Sequence, residues 1–424
     1  MKRVLLLAAT TGYQMQSFAN AARKLGIELS LATDRCHILD DPWRDGAIAV
    51  RFDDSGPSVQ AICDAGERTP VSGLVAVADR PVILAARAAA QLGLEWHPEP
   101  AVVACRNKHR MRQLFATAGL PVPAHAVSPL SAGPEALGAG AGYPCVLKPL
   151  GLSASRGVIR INNPEEFAPA FERIRRILDQ PEIRRLGESW NRDVQVEQYI
   201  PGREFALEGV MTRGELITLA IFDKPDPLEG PFFEETIYVT PSRQPEPVRR
   251  AIVDTCRRAA AALGLWHGPV HAEMRVNERG VWMLEIAPRP IGGLCARSLR
   301  FRASGHDLPL SLEEVLLLHA IGRMPRDLAP ATEASGVMMI PVPAPGVLQS
   351  VSGMDRAGAV PGVEEIVITA RRGERLVPLP EGASYFGFIF ASGNDAAFVE
   401  SALREAHRRL EFEVLAGLPV VSSR

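Results

Sequence analysis

No uncharged apolar stretch in the 424 residues approaches the roughly 20 needed to cross a bilayer, so no membrane-spanning helix is expected. The formal charge is only -2, which leaves no cationic excess for nucleic-acid phosphate. Six cysteines, at 36, 63, 105, 145, 256 and 295, form no C-x-x-C pair and have no histidine at zinc-ligand spacing. They are expected as reduced core thiols rather than as a disulfide frame or zinc site. The opening MKRVLLLAATTGYQ breaks its apolar run at Thr10 with no small-residue cleavage pattern after it, and is expected as a first β-strand of a cytoplasmic protein. That first turn also lacks the G-x-G-x-x-G that brings backbone against a dinucleotide pyrophosphate. Lysine is scarce: Lys2, Lys24, Lys108, Lys148 and Lys224 are five of 47 basic residues, so each retained lysine invites a reason.

What is present is an ordinary globular composition, 46% hydrophobic and 23% charged, long enough for two to four domains. From 1 to 104 short apolar runs (RVLLLAA, ELSLAT, GLVAVA) alternate with helical patterns, which predicts a Rossmann-like α/β domain with a parallel sheet. A second unit is expected over 105–330. Within it, a small α+β lobe over about 120–200 carries the strands CVLKP, VIRIN and VQVEQYI and the helix PEEFAPAFERIRRIL. The stretch PVPAHAVSPLSAGPEALGAGAG, dense in Pro and Gly, reads as turns and short helices. Residues 331–424, with VMMIPVP, EEIVITA, YFGFIFASG and a final helix, are expected as a separate α+β cap.

The clearest chemical signal is the hairpin HAEMRVNERGVWMLEIAPR. A three-residue loop of Glu278, Arg279 and Gly280 would set Glu273 opposite Glu285. Strict alternation would then put Ala272, Met274, Val276, Trp282, Leu284 and Ile286 on a core face. His271, Glu273, Arg275, Met283, Glu285 and Arg289 would share the other. Two facing carboxylates repel unless a cation or a proton lies between them. Oxygen ligands that leave room for water and phosphate suit Mg2+; a solvated acidic pair bridged by Arg275 is the alternative.

Lys108 extends the buried face of the helix KHRMRQLFATAG at its N-terminal end, the wrong end of the dipole for a cation unless it meets an anion or snorkels to water. Lys148 ends the strand CVLKP before the loop GLSASRG, where Ser153, Ser155, backbone N–H groups and a cation together could cradle phosphate oxygens. In VEQYIPGREF, Glu197 and Glu204 flank a strand exit that offers free backbone groups to the edge of a flat base, or is an ordinary turn.

In this order, NKHRMRQLFATAGLPVP, YPCVLKPLGLSASRGV, VEQYIPGREF and HAEMRVNERGVWMLEIAPRPIGG resemble the ATP-grasp superfamily. The resemblance implies a fold holding ATP between two α+β lobes, the smaller a mobile lid, behind a Rossmann-like domain. It implies that Lys108 and Lys148 meet ATP phosphates under the loop of Ser153 and Ser155. Glu197, Gln198 and Ile200 would meet the adenine edge and Glu204 the ribose. Glu273 and Glu285 match the magnesium-binding acids, where Mn2+ can substitute, and Arg289 the arginine on the transferred phosphate. Where many members have Asn, this chain has Ala287, which removes one expected metal ligand.

PRPIGG, FDKPDPLEGPFFEETIYVTPS and the C-terminal extension look most like L-amino acid ligases. That implies amide formation from a small carboxylate and an amine through an acyl phosphate. His271, as substrate contact or amine base, joins Lys224, Glu234 and Glu235 as substrate candidates. Gly292 and Gly293 would let backbone approach the acyl phosphate, or simply make a turn. A ligase of the glycinamide ribonucleotide synthetase or carboxylase type, and an inactive nucleotide-binding regulator, are the alternatives. A homodimer is the base-rate expectation.

Overall fold

The computed structural model describes residues 2–9, 14–34, 47–137 and 142–416. Strands β1 (Arg3–Ala8), β2 (Glu28–Thr33), β3 (Ile48–Ala49) and β4 (Gly73–Val77) form a parallel sheet in the order β3-β2-β1-β4. Val4 to Leu7 are all buried, as a strand covered by helices on both faces requires. The chain leaves β4 through Ala78, which has a positive φ of 70°, and presents Asp79 at the carboxyl end of the sheet. That is the end at which open α/β sheets place their ligands.

The small lobe is a four-stranded sheet of β5 (His125–Pro129), β6 (Cys145–Pro149), β7 (Ile159–Ile161) and β8 (Asp193–Gln198), ordered β5-β8-β6-β7. Helix Pro164–Leu178, begun by Asn163 accepting from the Glu166 N–H, packs Phe167, Phe171 and Ile174 against it. One expectation is corrected here. The stretch read as turns contains β5, paired antiparallel with β8. It is an edge strand, where the missing N–H of Pro129 costs no ladder bond, so its prolines concealed it.

Beside two small three-stranded sheets, eight further strands build one sheet: β9 (Arg203–Thr212), β10 (Glu215–Asp223), β11 (Ile237–Thr240), β12 (Gly268–Asn277), β13 (Gly280–Ala287), β14 (Ala334–Ile340), β15 (Val363–Ile368) and β16 (Gly387–Gly393). Their order is β13-β12-β9-β10-β11-β14-β16-β15. Helix Glu246–Leu263 buries Ile252, Cys256 and Ala260 against β9, β12 and β13. The C-terminal residues are therefore not a free-standing cap. They own a core, with helix Ala396–Arg408 over β14 and β16, yet β14 pairs directly with β11 and continues the sheet.

The small lobe is also tied to the C-terminal part. The Gly157 N–H donates to the Pro380 carbonyl at 2.9 Å, and Arg173 forks onto both oxygens of Glu381 at 2.6 and 2.9 Å. The same guanidinium lies 4.7 Å over the Phe232 ring.

Candidate functional site

The three larger sheets meet around a cavity of about 500 Å³, within the range that holds a small-molecule ligand. Of the residues singled out from the sequence as site candidates, Lys108, Lys148, Ser153, Ser155, Glu197, Gln198, Ile200 and Glu204 line it. So do Glu235, His271, Glu273, Glu285, Arg289, Gly292 and Gly293. Lys224 does not line it.

The hairpin reaches its acidic pair by a route that alternation did not foresee. The loop is shorter than expected, since Asn277 pairs with Gly280, and a bulge between Glu273 and Met274 then skips Leu284. The two deviations cancel, and Glu273 still faces Glu285. The bulge does move other side chains. Met283 joins Val281 and Ile286 in the core, whereas Leu284 turns to the cavity beside Glu285 and Trp282 lies half-buried beneath Arg279.

At one end of the cavity Lys148 lies 2.5 Å from Glu197, whose other oxygen lies 2.8 Å from Arg112. Burial resists the charge on Glu197, but Arg112 and Lys148 outweigh it and bring the carboxyl down to about 2. Burial also pushes the Lys148 ammonium down to about 8, against the pull of Glu197. Both Glu197 oxygens are thus taken, and at this strand exit the Gln198 and Tyr199 N–H groups donate to the Ala124 and Pro144 carbonyls while the Ile200 carbonyl accepts from Arg275. Gly202, at φ +124°, closes the turn with its α-carbon so near β12 that a Cβ would lie 2.4 Å from the Val276 carbonyl. Lys108 donates to the Leu152 carbonyl at 2.7 Å, holding the Ser153–Ser155 loop from below. Ala154 and Ser155 both adopt φ near 54°.

On the acidic face, Lys224 sits 2.9, 2.5 and 3.1 Å from Glu204, Glu235 and Glu273. Its ammonium is enclosed by carboxylates that raise its pKa well above normal despite burial. Lys224, expected as a substrate contact, lies outside the cavity lining and neutralises acids that line it. Glu204 also accepts from Arg275 at 3.0 Å, which occupies the oxygens expected to meet ribose. Burial and the nearby Glu273 push the Glu235 carboxyl up to about 7.

His271 lies between two acids, with Nδ1 3.0 Å from Glu208 and Nε2 3.5 Å from Glu273. Burial disfavours its charge, but these bonds prevail and push it up to about 9. Both acids thus favour its protonated form. Ala287 is buried opposite His271 and supplies no ligand oxygen. Glu273 and Glu285, all-oxygen donors facing one another, fit a hard divalent cation.

Arg289 is held by Asp79, with Nε and Nη2 donating at 2.9 and 3.3 Å. The sequence reading missed Asp79, as it did Gln14, which donates to the Ile291 and Gly293 carbonyls at 2.5 and 3.2 Å. Gly293 itself has φ +60°, and a Cβ there would press on Phe388 at 2.9 Å. Neither Asp79 nor Gln14 lies in a motif; the one available signal was position, at or just beyond the carboxyl end of a strand in a parallel sheet.

Two family descriptions match the chain: ATP-grasp domain over residues 141–298, and L-amino acid ligase C-terminal domain 2 over residues 338–415. The L-amino acid ligase of Bacillus licheniformis superposes with a TM-score of 0.78 at 23% identity, covering 98% of this chain and 99% of that one. A Sinorhizobium fredii protein, y4rH, is 24% identical over 98% of this chain and 84% of its own length. Alanine–anticapsin ligase of Bacillus subtilis is 28% identical over 57% of this chain, and the match spans about half of that ligase, 53%. Residues 141–298 thus carry an ATP-grasp domain and residues 338–415 the C-terminal domain 2 of the L-amino acid ligases. Among the described residues no helix is long and apolar enough to cross a membrane.

Proposed function

We propose that the chain joins the carboxylate of one amino acid to the amine of another, or of a related small molecule, with ATP converted to ADP and phosphate. The observation that carries this reading is a single cavity whose lining has two unlike parts. One part of the lining gathers Lys108, Lys148 and the strand exit of Gln198–Ile200; another carries Tyr238, Met339 and Tyr385, which pack together and suit a small, partly apolar substrate.

The substrate carboxylate attacks the γ-phosphoryl group, ADP leaves, and the amine displaces phosphate from the acyl phosphate. Negative charge gathers on phosphoryl oxygens, so neutralisation matters more than acid–base work. Lys148 and Lys108 face the triphosphate beneath the Ser153–Ser155 loop, with the backbone of Gln198–Ile200 on the base. Arg289, steadied by Asp79, faces the transferred group, and cationic His271 adds charge beside it. Glu273 and Glu285 would hold Mg2+, or Mn2+ in its place; the bound ion supplies charge neutralisation at the triphosphate. Gly292 and Gly293 keep the approach to the acyl group free of side chains. The protein would act in the cytoplasm, where ATP and reduced thiols coexist, as a homodimer.

The test is amino-acid-dependent phosphate release from ATP, screened over single amino acids and pairs, with mass spectrometry of the products. Release that needs two amino acids, with a product mass equal to their sum minus water, is the expected result. ATP binding without release for any pair would overturn the peptide-forming reading and favour the regulatory alternative.

A further inference from the structure

Glu208 lies within β9, directly across from His271 of β12, with no exposure to solvent. A carboxylate so buried is costly unless its oxygens are engaged, and here each serves a different segment. Oε2 is 3.0 Å from His271 Nδ1; Oε1 accepts from the Ile291 N–H at 3.2 Å. Glu208 does not line the cavity, so its contribution passes through these two partners.

Both partners do border the cavity. With Nδ1 held by Glu208, the His271 ring turns Nε2 toward Glu273. The Ile291 peptide is gripped from both sides, at its N–H by Glu208 and at its carbonyl by Gln14. It is the middle of the Arg289–Gly293 turn, whose first residue is pinned by Asp79. Building on the ligase reading above, we propose that Glu208 is a positioning residue that keeps the His271 ring and the Arg289–Gly293 turn in one common frame. Register alone does not do this, because the turn lies beyond the end of β13 and no ladder bond to β9 reaches it.

The chemistry requires a carboxylate. Two donors converge on Glu208, and a carboxylate offers each an acceptor; an amide offers one acceptor and one NH2 group, which meets the other donor head-on. Glu208→Gln therefore preserves shape and can keep both contacts only if His271 Nδ1 changes from donor to acceptor.

The imidazole 15N signals of His271, assigned with His271→Asn, are read in wild type and Glu208→Gln without nucleotide. Steady-state kinetics for ATP and for the amino acids follow. The expected result is displaced His271 signals, a kcat roughly ten- to hundred-fold lower, a raised KM for the amino acids and an unchanged KM for ATP. Glu208→Gln with His271→Asn should lose little more than the worse single variant. A variant that merely unfolds in part would lower kcat and leave every KM alone. If Glu208→Gln does not fold, Glu208→Asp, with two acceptors on a shorter stem, takes the same measurements. Wild-type-like His271 signals and amino-acid KM would overturn the inference. The NMR arm needs no turnover, so it decides this inference even where a chain inert to amino acids overturns the ligase reading.

Discussion

Asp79 and Arg289, 210 residues apart, meet in a two-point ion pair that joins the carboxyl end of the N-terminal sheet to the turn after β13. Burial opposes the charge on Asp79, yet Arg289 and Arg106 hold its carboxyl well below the usual range. Removing one partner of such a pair strands the other charge, at a cost of roughly 3 kcal/mol. Asp79→Asn is expected to lower unfolding stability by about that amount and to raise the KM for the amino-acid substrate. Urea unfolding and steady-state kinetics check this; a variant as stable as wild type would mean that Arg289 needs no anchor.

Glu197 gives a pH prediction of definite sign. Its folded pKa, about 2, lies below the 4.5 of the free side chain. Its contribution is therefore fully present above pH 4.5 and is lost as pH falls toward 2. The amount is on the order of 3 kcal/mol. The stability gap between wild type and Glu197→Gln, measured by urea unfolding, should shrink steadily across that window. A gap that stays constant down to pH 2.5 would trace the effect to packing instead of charge.

Glu285 faces Glu273 across the hairpin, so Glu285→Gln relieves repulsion while removing a candidate metal ligand. Activity should fall by about 100-fold or more with no loss of melting temperature. Mg2+-dependent thermal stabilisation by a non-hydrolysable ATP analogue should weaken in parallel. Retained turnover would exclude Glu285 from the metal site.

The fork from Arg173 to Glu381 is half-exposed and worth less than about 1 kcal/mol to global stability. Its expected effect is local. Arg173→Ala should leave the melting temperature within a degree or two but speed hydrogen exchange around the Gly157 and Arg160 amides. Equal exchange in both proteins would show that the small lobe closes independently of the C-terminal part.

Much of this was legible in the sequence because motif and strand coincide. Lys148 ends β6, Glu197 and Gln198 end β8, and Glu273 and Glu285 face one another on paired strands. What was hidden depends on distance or on broken periodicity. Asp79, Gln14 and Glu208 act on a turn far from them in sequence, and no spacing rule links them to it. The bulge beside Leu284 reverses the face of Met283, which alternation cannot anticipate. The enclosure of Lys224 follows from three acids on three different segments, Glu204, Glu235 and Glu273. The β11–β14 pairing joins strands with a long helix and a hairpin between them, and local patterns carry no trace of such a partner.

That pairing changes what the last stretch of the chain is for. Shortening the protein at residue 331 would strip β14 from β11 and bare a row of unpaired N–H and C=O groups in the middle of the molecule. An exposed strand edge of this kind recruits other chains. The ligase-like C-terminal part is therefore the seal on the catalytic half, and a gene fragment ending before it should yield aggregates rather than a smaller enzyme.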